Sequence, residues 1–304
     1  MSAHLLNLCG WQVCSDLPIA DLLPWQGGGQ EPDIFIRLGS VAERLEGIVE
    51  ETPLFQVTAD GTCRFIIEDV AVYLISGGRD VVIEPRIALD APDLRVFLLG
   101  TVLGILCHQR NVLPIHGSCV AIDGKAVILA GNSGAGKSTL AAAFLRRGFP
   151  ILADDVTVVV PDDKGIAWVR PAFPRLKVWS RTAEALGIDH AGFECSRSES
   201  AKVHLPLDDA YSADPLPLGA ILHLNRAFER RFDAPERLRG IVALGALKRA
   251  VYRLPSARRL DPDLVRLKAL LVPVAAACPT HWRLDHLHDF SVIDDVVSVI
   301  AANL

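Results

Sequence analysis

The chain lacks a cysteine framework. Its seven cysteines, Cys9, Cys14, Cys63, Cys107, Cys119, Cys195 and Cys278, are scattered, odd in number and contain no C-x-x-C pair. That excludes a zinc ribbon or a set of disulfide staples and leaves reduced, mostly buried thiols. It lacks a long apolar run: "LLVPVAAAC" is among the longest, and crossing a bilayer takes about 20 such residues, so no membrane association is expected. It lacks a basic excess. With 31 Lys and Arg against 36 Asp and Glu the formal net charge is -5, which argues against a general nucleic-acid binder. The opening "MSAHLLNLCGWQVC" has no basic leader ahead of a long apolar stretch, so no secretory signal is expected and a cytoplasmic location is. There is no internal repeat and no low-complexity tract.

What is there is a globular chain of 304 residues, long enough for one large or two ordinary domains. Hydrophobic residues make up 50% and charged residues 22%, a balance compatible with a subunit contact. After the Gly- and Pro-rich loop "PWQGGGQEPD" (24–33) come the β-like runs "DIFIRL", "LFQVTA", "CRFIIED", "VAVYLIS" and "DVVIEPRI", separated by turn signals at 60–61 and 76–78. Residues 1–95 therefore read as a small, mainly antiparallel β module of unassigned role. "DAPDLRVFLLGTVLGILCHQR" (90–110) reads as one helix with Asp90 as candidate cap and Pro92 in its first turn.

From 112 the texture changes. "VLPIHGSCVAID" and "KAVILAG" read as two strands joined by an Asp-Gly hairpin turn at 123–124. A glycine-rich loop follows, then the Ala/Leu-rich helix "KSTLAAAFLRRG" ending at Gly148, then "FPILADDVTVVV" as one buried strand carrying two carboxylates. "IAWVRP", "RLKVWS", "AILHLNR" and "HWRLDH" read as further strands, the last as an edge strand, and 261–277 and 289–304 as closing helices. Strand, glycine loop, helix and strand indicate an α/β nucleotide-binding domain, assigned to 96–304.

The loop "GNSGAGKST" matches G-x-x-x-x-G-K-[ST] at every fixed position, between a strand and a helix as the mechanism requires. Its residues Gly131, Asn132, Ser133, Gly134, Ala135, Gly136, Lys137, Ser138 and Thr139 are the candidate nucleotide-binding set. Glycines let successive N–H groups turn inward, and the helix N-terminus adds partial positive charge. Lys137 can reach the β- and γ-phosphates of ATP, and the Ser138 hydroxyl can ligate Mg2+. Asp154 and Asp155 end an apolar stretch 17 and 18 residues beyond Lys137. Carboxylates there can serve two tasks, holding the metal and accepting a proton from an attacking hydroxyl. His116 in "PIHGS" lies near the loop in sequence, where it can be structural or sit beside the phosphates.

The elements "IHGS", "GNSGAGKST" and "ILADDV", in that order within about 40 residues, resemble the catalytic domain of HPr kinase/phosphorylase, a bacterial protein serine kinase built on a P-loop. The resemblance is close over 112–160, looser to the end of the chain, and does not extend over 1–95. It implies an HPr kinase-like P-loop domain with a mixed β-sheet and packed helices, ATP and Mg2+ as cofactors, a protein or peptide carrying an acceptor serine as partner, and a homo-oligomer. It also implies that Lys137 and His116 support catalysis, that Asp154 is the base, and that Asp155 with Ser138 serves Mg2+, the two Asp roles being open to exchange. The bifunctional enzymes have Glu where this chain has Thr139, and their arginine- and glycine-rich signature is absent between 165 and 240. The chain thus looks more like the stand-alone relatives that accompany peptide-modification genes, including kinases of lasso-peptide precursors, than like an HPr-directed enzyme with phosphorylase activity. Two other readings stay open: a nucleotide-binding regulatory or assembly protein with weak or no ATPase activity, and a kinase of a small-molecule alcohol.

Arg175 and Lys177 can face nucleotide or substrate or lie at the surface, and Lys202 can touch a phosphate. His281, Asp285, His286, His288 and Asp289 resemble a metal cluster by composition, but period-two geometry puts His281 on the face opposite His286 and His288. Arg146 and Arg147 meet the C-terminal dipole of the loop's helix.

Overall fold

A computed structural model describes residues 3–195, 201–226, 235–286 and 289–303, without the side chain of His286. The chain divides into two compact units, residues 1–112 with 253–267, and residues 113–252 with 268–304.

The first unit is built on strands β1 (His4–Leu8), β2 (Trp11–Ser15), β3 (Leu23–Pro24), β4 (Ile34–Leu38), β5 (Ile48–Thr52), β6 (Phe55–Thr58), β7 (Cys63–Ile67), β8 (Ala71–Ser76) and β9 (Asp80–Pro85). They form one nine-stranded sheet in the order β3-β1-β2-β4-β9-β8-β7-β6-β5. The sheet is mainly antiparallel, with β4 parallel to both β2 and β9. Alternating apolar residues fill its core, where Phe65 stacks on Phe55 and Tyr73 at centroid distances of 4.8 and 5.8 Å. The segment expected as one helix is three: α1 (Pro92–Phe97), a π-helical turn (Leu98–Val102) and α2 (Leu103–Gln109). Ala91, not Asp90, is the N-cap, and Pro92 takes the first helical position, where its missing N–H costs nothing. The carbonyl of Asp90 instead accepts a hydrogen bond from Arg95.

The second unit begins with β10 (Leu113–Ile122) and β11 (Lys125–Gly131), paired antiparallel through Ile122 and Lys125. Between them Asp123 and Gly124 have φ of 48° and 72°, the left-handed pair of a tight hairpin turn. Helix α3 (Lys137–Arg146) follows and stops at Gly148, whose φ of 84° closes the helix end. The carboxylate strand breaks in two, β12 (Ile151–Ala153) and β13 (Val156–Pro161), correcting the single strand expected. Asp154 and Asp155 occupy the break, and Asp155 has φ 66°, incompatible with continued extension. Then come β14 (Ala167–Arg170), β15 (Arg175–Trp179), α4 (Ser180–Ala185), β16 (Lys202–Pro206), β17 (Leu216–Arg226), β18 (Glu236–Leu238) and α5 (Gly240–Arg249). Residues 253–267, with helix α6 (Leu254–Leu260), belong to the first unit, where Arg259 pairs with Glu50 at 3.5 Å and lies over the Phe55 ring. Helix α7 (Val265–Ala277), β19 (Thr280–His286) and α8 (Ile293–Ala302) end the chain.

The eight-stranded sheet is mixed. β17 is parallel to β11 and to β19, while β10, β13 and β14 run as antiparallel neighbours. β19 lies between β17 and β18 and so is an interior strand, not the expected edge. Helix α3 anchors the unit's core: Leu140, Ala141 to Ala143 and Phe144 are buried against the antiparallel β15–β16 pair and α8. Removing Phe144 from water alone stabilises by roughly 1.5–3 kcal/mol. Arg146 pairs with Asp294 of α8, and Arg147 donates to the Asp294 carbonyl and to Ser298, so both serve helix packing as well as the dipole. Among the described residues, no helix is long and apolar enough to cross a membrane.

Candidate active site

The glycine loop leaves β11 at Gly131, where an added Cβ would lie 2.7 Å from the Leu224 carbonyl of β17. Only glycine permits that approach. Gly134 and Gly136 have φ of 81° and 88°, which turns the backbone toward the start of α3. No side chain caps the α3 N-terminus and no acidic residue lies in its first turn. The partial positive charge of those amides is therefore not neutralised within the helix. An uncapped N-terminus behind a curled glycine loop fits a phosphate chain.

Lys137 is buried. Its Nζ donates to the carbonyls of Gly131 and Asn132 at 2.9 and 3.0 Å, and lies 3.1 Å from His116 Nε2. His116 projects from β10, and its Nδ1 lies 3.1 Å from the Asp155 carbonyl and 3.4 Å from the Asp155 carboxylate. One assignment satisfies both ring nitrogens: Nδ1–H donates to the Asp155 carbonyl, and Nε2 accepts from Lys137. That is the neutral ring. Burial first, and the Lys137 ammonium second, lower the His116 pKa, while Asp155 and Asp154 oppose them. Burial also lowers the Lys137 pKa, against the attraction of the two carboxylates.

The two neighbouring carboxylates have different surroundings because the chain reverses at Asp155. Asp154 is only 3% exposed. Its Oδ1 accepts from Ser118 at 2.6 Å and from Ser138 at 3.1 Å, and its Oδ2 from the Lys177 amide at 2.8 Å. The Asp155 side chain is about one-third exposed, at 32%, and accepts from Lys177 Nζ at 2.9 Å. Burial would raise its pKa, but Lys177, His116 and Lys137 outweigh it and bring the value down to about 2. Asp155 is thus an ionised carboxylate beside the loop lysine, with one edge open to an incoming group.

Of the weaker candidates, Lys177 enters the site and Lys202 borders it. Lys202 opposes Trp179 in the β15–β16 pairing and places its ammonium 4.9 Å from that ring. Burial and then Lys177 lower its pKa. Arg175 is buried over Phe173, with its guanidinium 3.4 Å from His204. In the C-terminal group, His281 stacks on His223, Asp285 accepts from Asn225, and Asp289 accepts from Ser291. His288 lies outside the described residues. Ser118 was missed by sequence reasoning, although it lies two residues beyond His116 and so on the same face of β10.

A family profile described as "SynChlorMet cassette protein ScmC" matches residues 92–226. The HPr kinase/phosphorylase of Streptococcus thermophilus is 41% identical over 58 residues, 19% of this chain and 19% of its own length. That of Limosilactobacillus reuteri is 34% identical over 93 residues, 27% of this chain and 29% of its own. Over these segments the chain is similar in sequence to the HPr kinase/phosphorylases. It spans between about a fifth and three tenths of the length of these curated relatives. The Hpr(Ser) kinase/phosphatase from Coxiella burnetii overlaps 62% of this chain and 94% of that one at 12% identity and a TM-score of 0.35. The mixed sheet, in which the strand before the glycine loop pairs parallel with β17, is a property of the chain's own strand pairing.

Proposed function

We propose that the protein is an ATP- and Mg2+-dependent phosphotransferase that moves the γ-phosphoryl group to a serine hydroxyl of a protein or peptide. The observation that carries this reading is the half-open Asp155 carboxylate, fixed by Lys177 and linked through His116 to the P-loop lysine. A protein that only bound nucleotide would have no use for an ionised, partly exposed carboxylate at that point. Relatives named as HPr kinase/phosphorylases support the transfer chemistry.

The donor set also favours the exchanged roles for the aspartates. Ser138 Oγ and Asp154 Oδ1, 3.1 Å apart, are the hard oxygen pair that suits Mg2+, which takes one or two protein oxygens and completes its shell with phosphates and water. Bound there, the ion would neutralise charge on the β- and γ-phosphates. Loop amides and Lys137 orient the same phosphates. Asp155 accepts a hydrogen bond from the acceptor hydroxyl, aligns it for in-line attack, and takes its proton as the new P–O bond forms and the bond to the ADP oxygen breaks. Neutral His116 holds the Asp155 backbone and the Lys137 ammonium in register. The acceptor is a serine-bearing peptide, and a ribosomally made precursor suits a chain without the features tied to HPr.

The test is γ-labelled ATP incubated with Mg2+ and a pool of peptides encoded beside the gene. Label on a peptide serine supports the proposal. Release of free phosphate alone, or label on a small alcohol, overturns it.

A further inference from the structure

A cavity of about 410 Å³ opens beside the phosphate loop, lined by Gly134, Gly136 and Thr139 on one side and by Trp179, Arg181 and Phe290 on others. Its size is in the range that holds a small organic ligand. Two observations single it out. Of the strongly exposed large apolar side chains among the described residues, the aromatic ones are Trp179 at 41% and Phe290 at 38%, and both lie in this cavity. Leaving two aromatic rings in water next to a phosphate cradle costs apolar burial that a flat ligand would recover. The second is charge: the Arg181 guanidinium lies 5.6 Å from the Trp179 ring centroid, so a planar cation joins the aromatic surface.

We infer that this cavity is the base and ribose subsite of the nucleotide, with Trp179, Phe290 and Arg181 as the recognising groups. The inference rests on the ATP-dependent reading above. Two of the cavity's polar lining groups already have partners, and Arg226 also lines it. The Asp289 carboxylate already accepts from the backbone and hydroxyl of Ser291, and Thr182 is buried with its hydroxyl 3.4 Å from that of Thr139. Base–aromatic stacking is worth about tenfold in affinity per ring when the ring is removed. Lys202 lies over the same tryptophan, and its ammonium is also within the electrostatic reach of Asp155 and Asp154.

The experiment is calorimetric titration of the full chain with Mg-ATP and, separately, with Mg-tripolyphosphate, which has the phosphates but no base. Trp179→Ala and Phe290→Ala are compared with the unaltered protein, with thermal melts to show that each is folded. Both side chains are exposed enough for truncation to leave the core intact. The expected result is about a tenfold rise in Kd for ATP in each variant and an unchanged Kd for tripolyphosphate. Unchanged ATP affinity in both folded variants overturns the subsite, as does an equal loss for ATP and tripolyphosphate. If the unaltered protein binds neither ligand, the P-loop reading itself fails and the subsite with it. If it binds both equally tightly, the base makes no contact and only the subsite fails.

Discussion

Replacing Asp155 with Asn separates chemistry from binding more cleanly than any other change at this site. Asp155 has φ 66°, a left-handed conformation that Asn adopts as readily as Asp, so the substitution adds no backbone strain. It keeps the side-chain size and removes the negative charge that faces Lys177 and His116. Because the Asp155 side chain is about one-third exposed, losing that pairing costs about 1 kcal/mol of stability or less. For a domain of this size that is a fall in Tm of about 2–4 °C. On the proposed reading ATP is held by the loop and by Lys137, which keeps its contacts with Gly131 and Asn132, so ATP affinity should stay within about twofold of the original. Transfer should fall by about 10²–10⁴, equal to about 3–5 kcal/mol of barrier, the range a positioned general base supplies. The assay has three readouts: label transferred from γ-labelled ATP to peptide, Kd for Mg-ATP by calorimetry, and a melt by circular dichroism. An Asp155→Asn protein that transfers label at the original rate would falsify the assignment of Asp155 as base.

Further outcomes follow from the same contacts. Lys137→Ala should abolish measurable ATP binding by calorimetry and leave His116 without its Nε2 donor; retention of near-original affinity would contradict a phosphate role for the lysine. Asp154→Asn replaces one acceptor oxygen of a buried network with a donor, so it should destabilise by about 1–3 kcal/mol in urea unfolding. It should also raise the Mg2+ concentration needed for half-maximal activity by about tenfold, and an unchanged Mg2+ dependence would remove Asp154 from the metal. Stability should fall with acid through His223, whose pKa is pushed down to about 3 by burial, by His281 and by Arg249. The unfolded chain takes up the proton near pH 6.5 while the folded one does not, so the stabilisation is present above that pH and lost as pH falls toward 3. Between pH 6.5 and 5 the loss is about 2 kcal/mol from this residue alone, with His281 and His116 adding in the same direction. Urea midpoints that do not change between pH 7 and 5 would contradict it.

The sequence carried the parts of the site that depend on neighbours along the chain. The Asp123-Gly124 turn, the glycine loop and the uncapped start of α3 are local features with fixed residue requirements, and each is visible in the letters. The break at Asp154 and Asp155 was not, because "FPILADDVTVVV" is apolar on both sides of the pair and an extended reading costs nothing until Asp155 is seen in the left-handed region. The partition of the two aspartates is likewise tertiary: it is decided by Ser118 on β10 and Lys177 on β15, 36 and 23 residues away from Asp154. The interior place of β19 depends on the three-residue strand β18, too short to announce itself by periodicity.

The return of residues 253–267 to the first unit has a consequence for synthesis. Arg259 stands on Phe55 and Glu50 roughly two hundred positions behind it, so the amino-terminal sheet meets its last helix only after α6 has left the ribosome. By then the glycine loop and most of the carboxylate-bearing unit are already outside the tunnel. Contacts closed over such distances along the chain are slow to form. A fragment ending near residue 112 would therefore lack the helix that Glu50 and Phe55 meet in the intact chain.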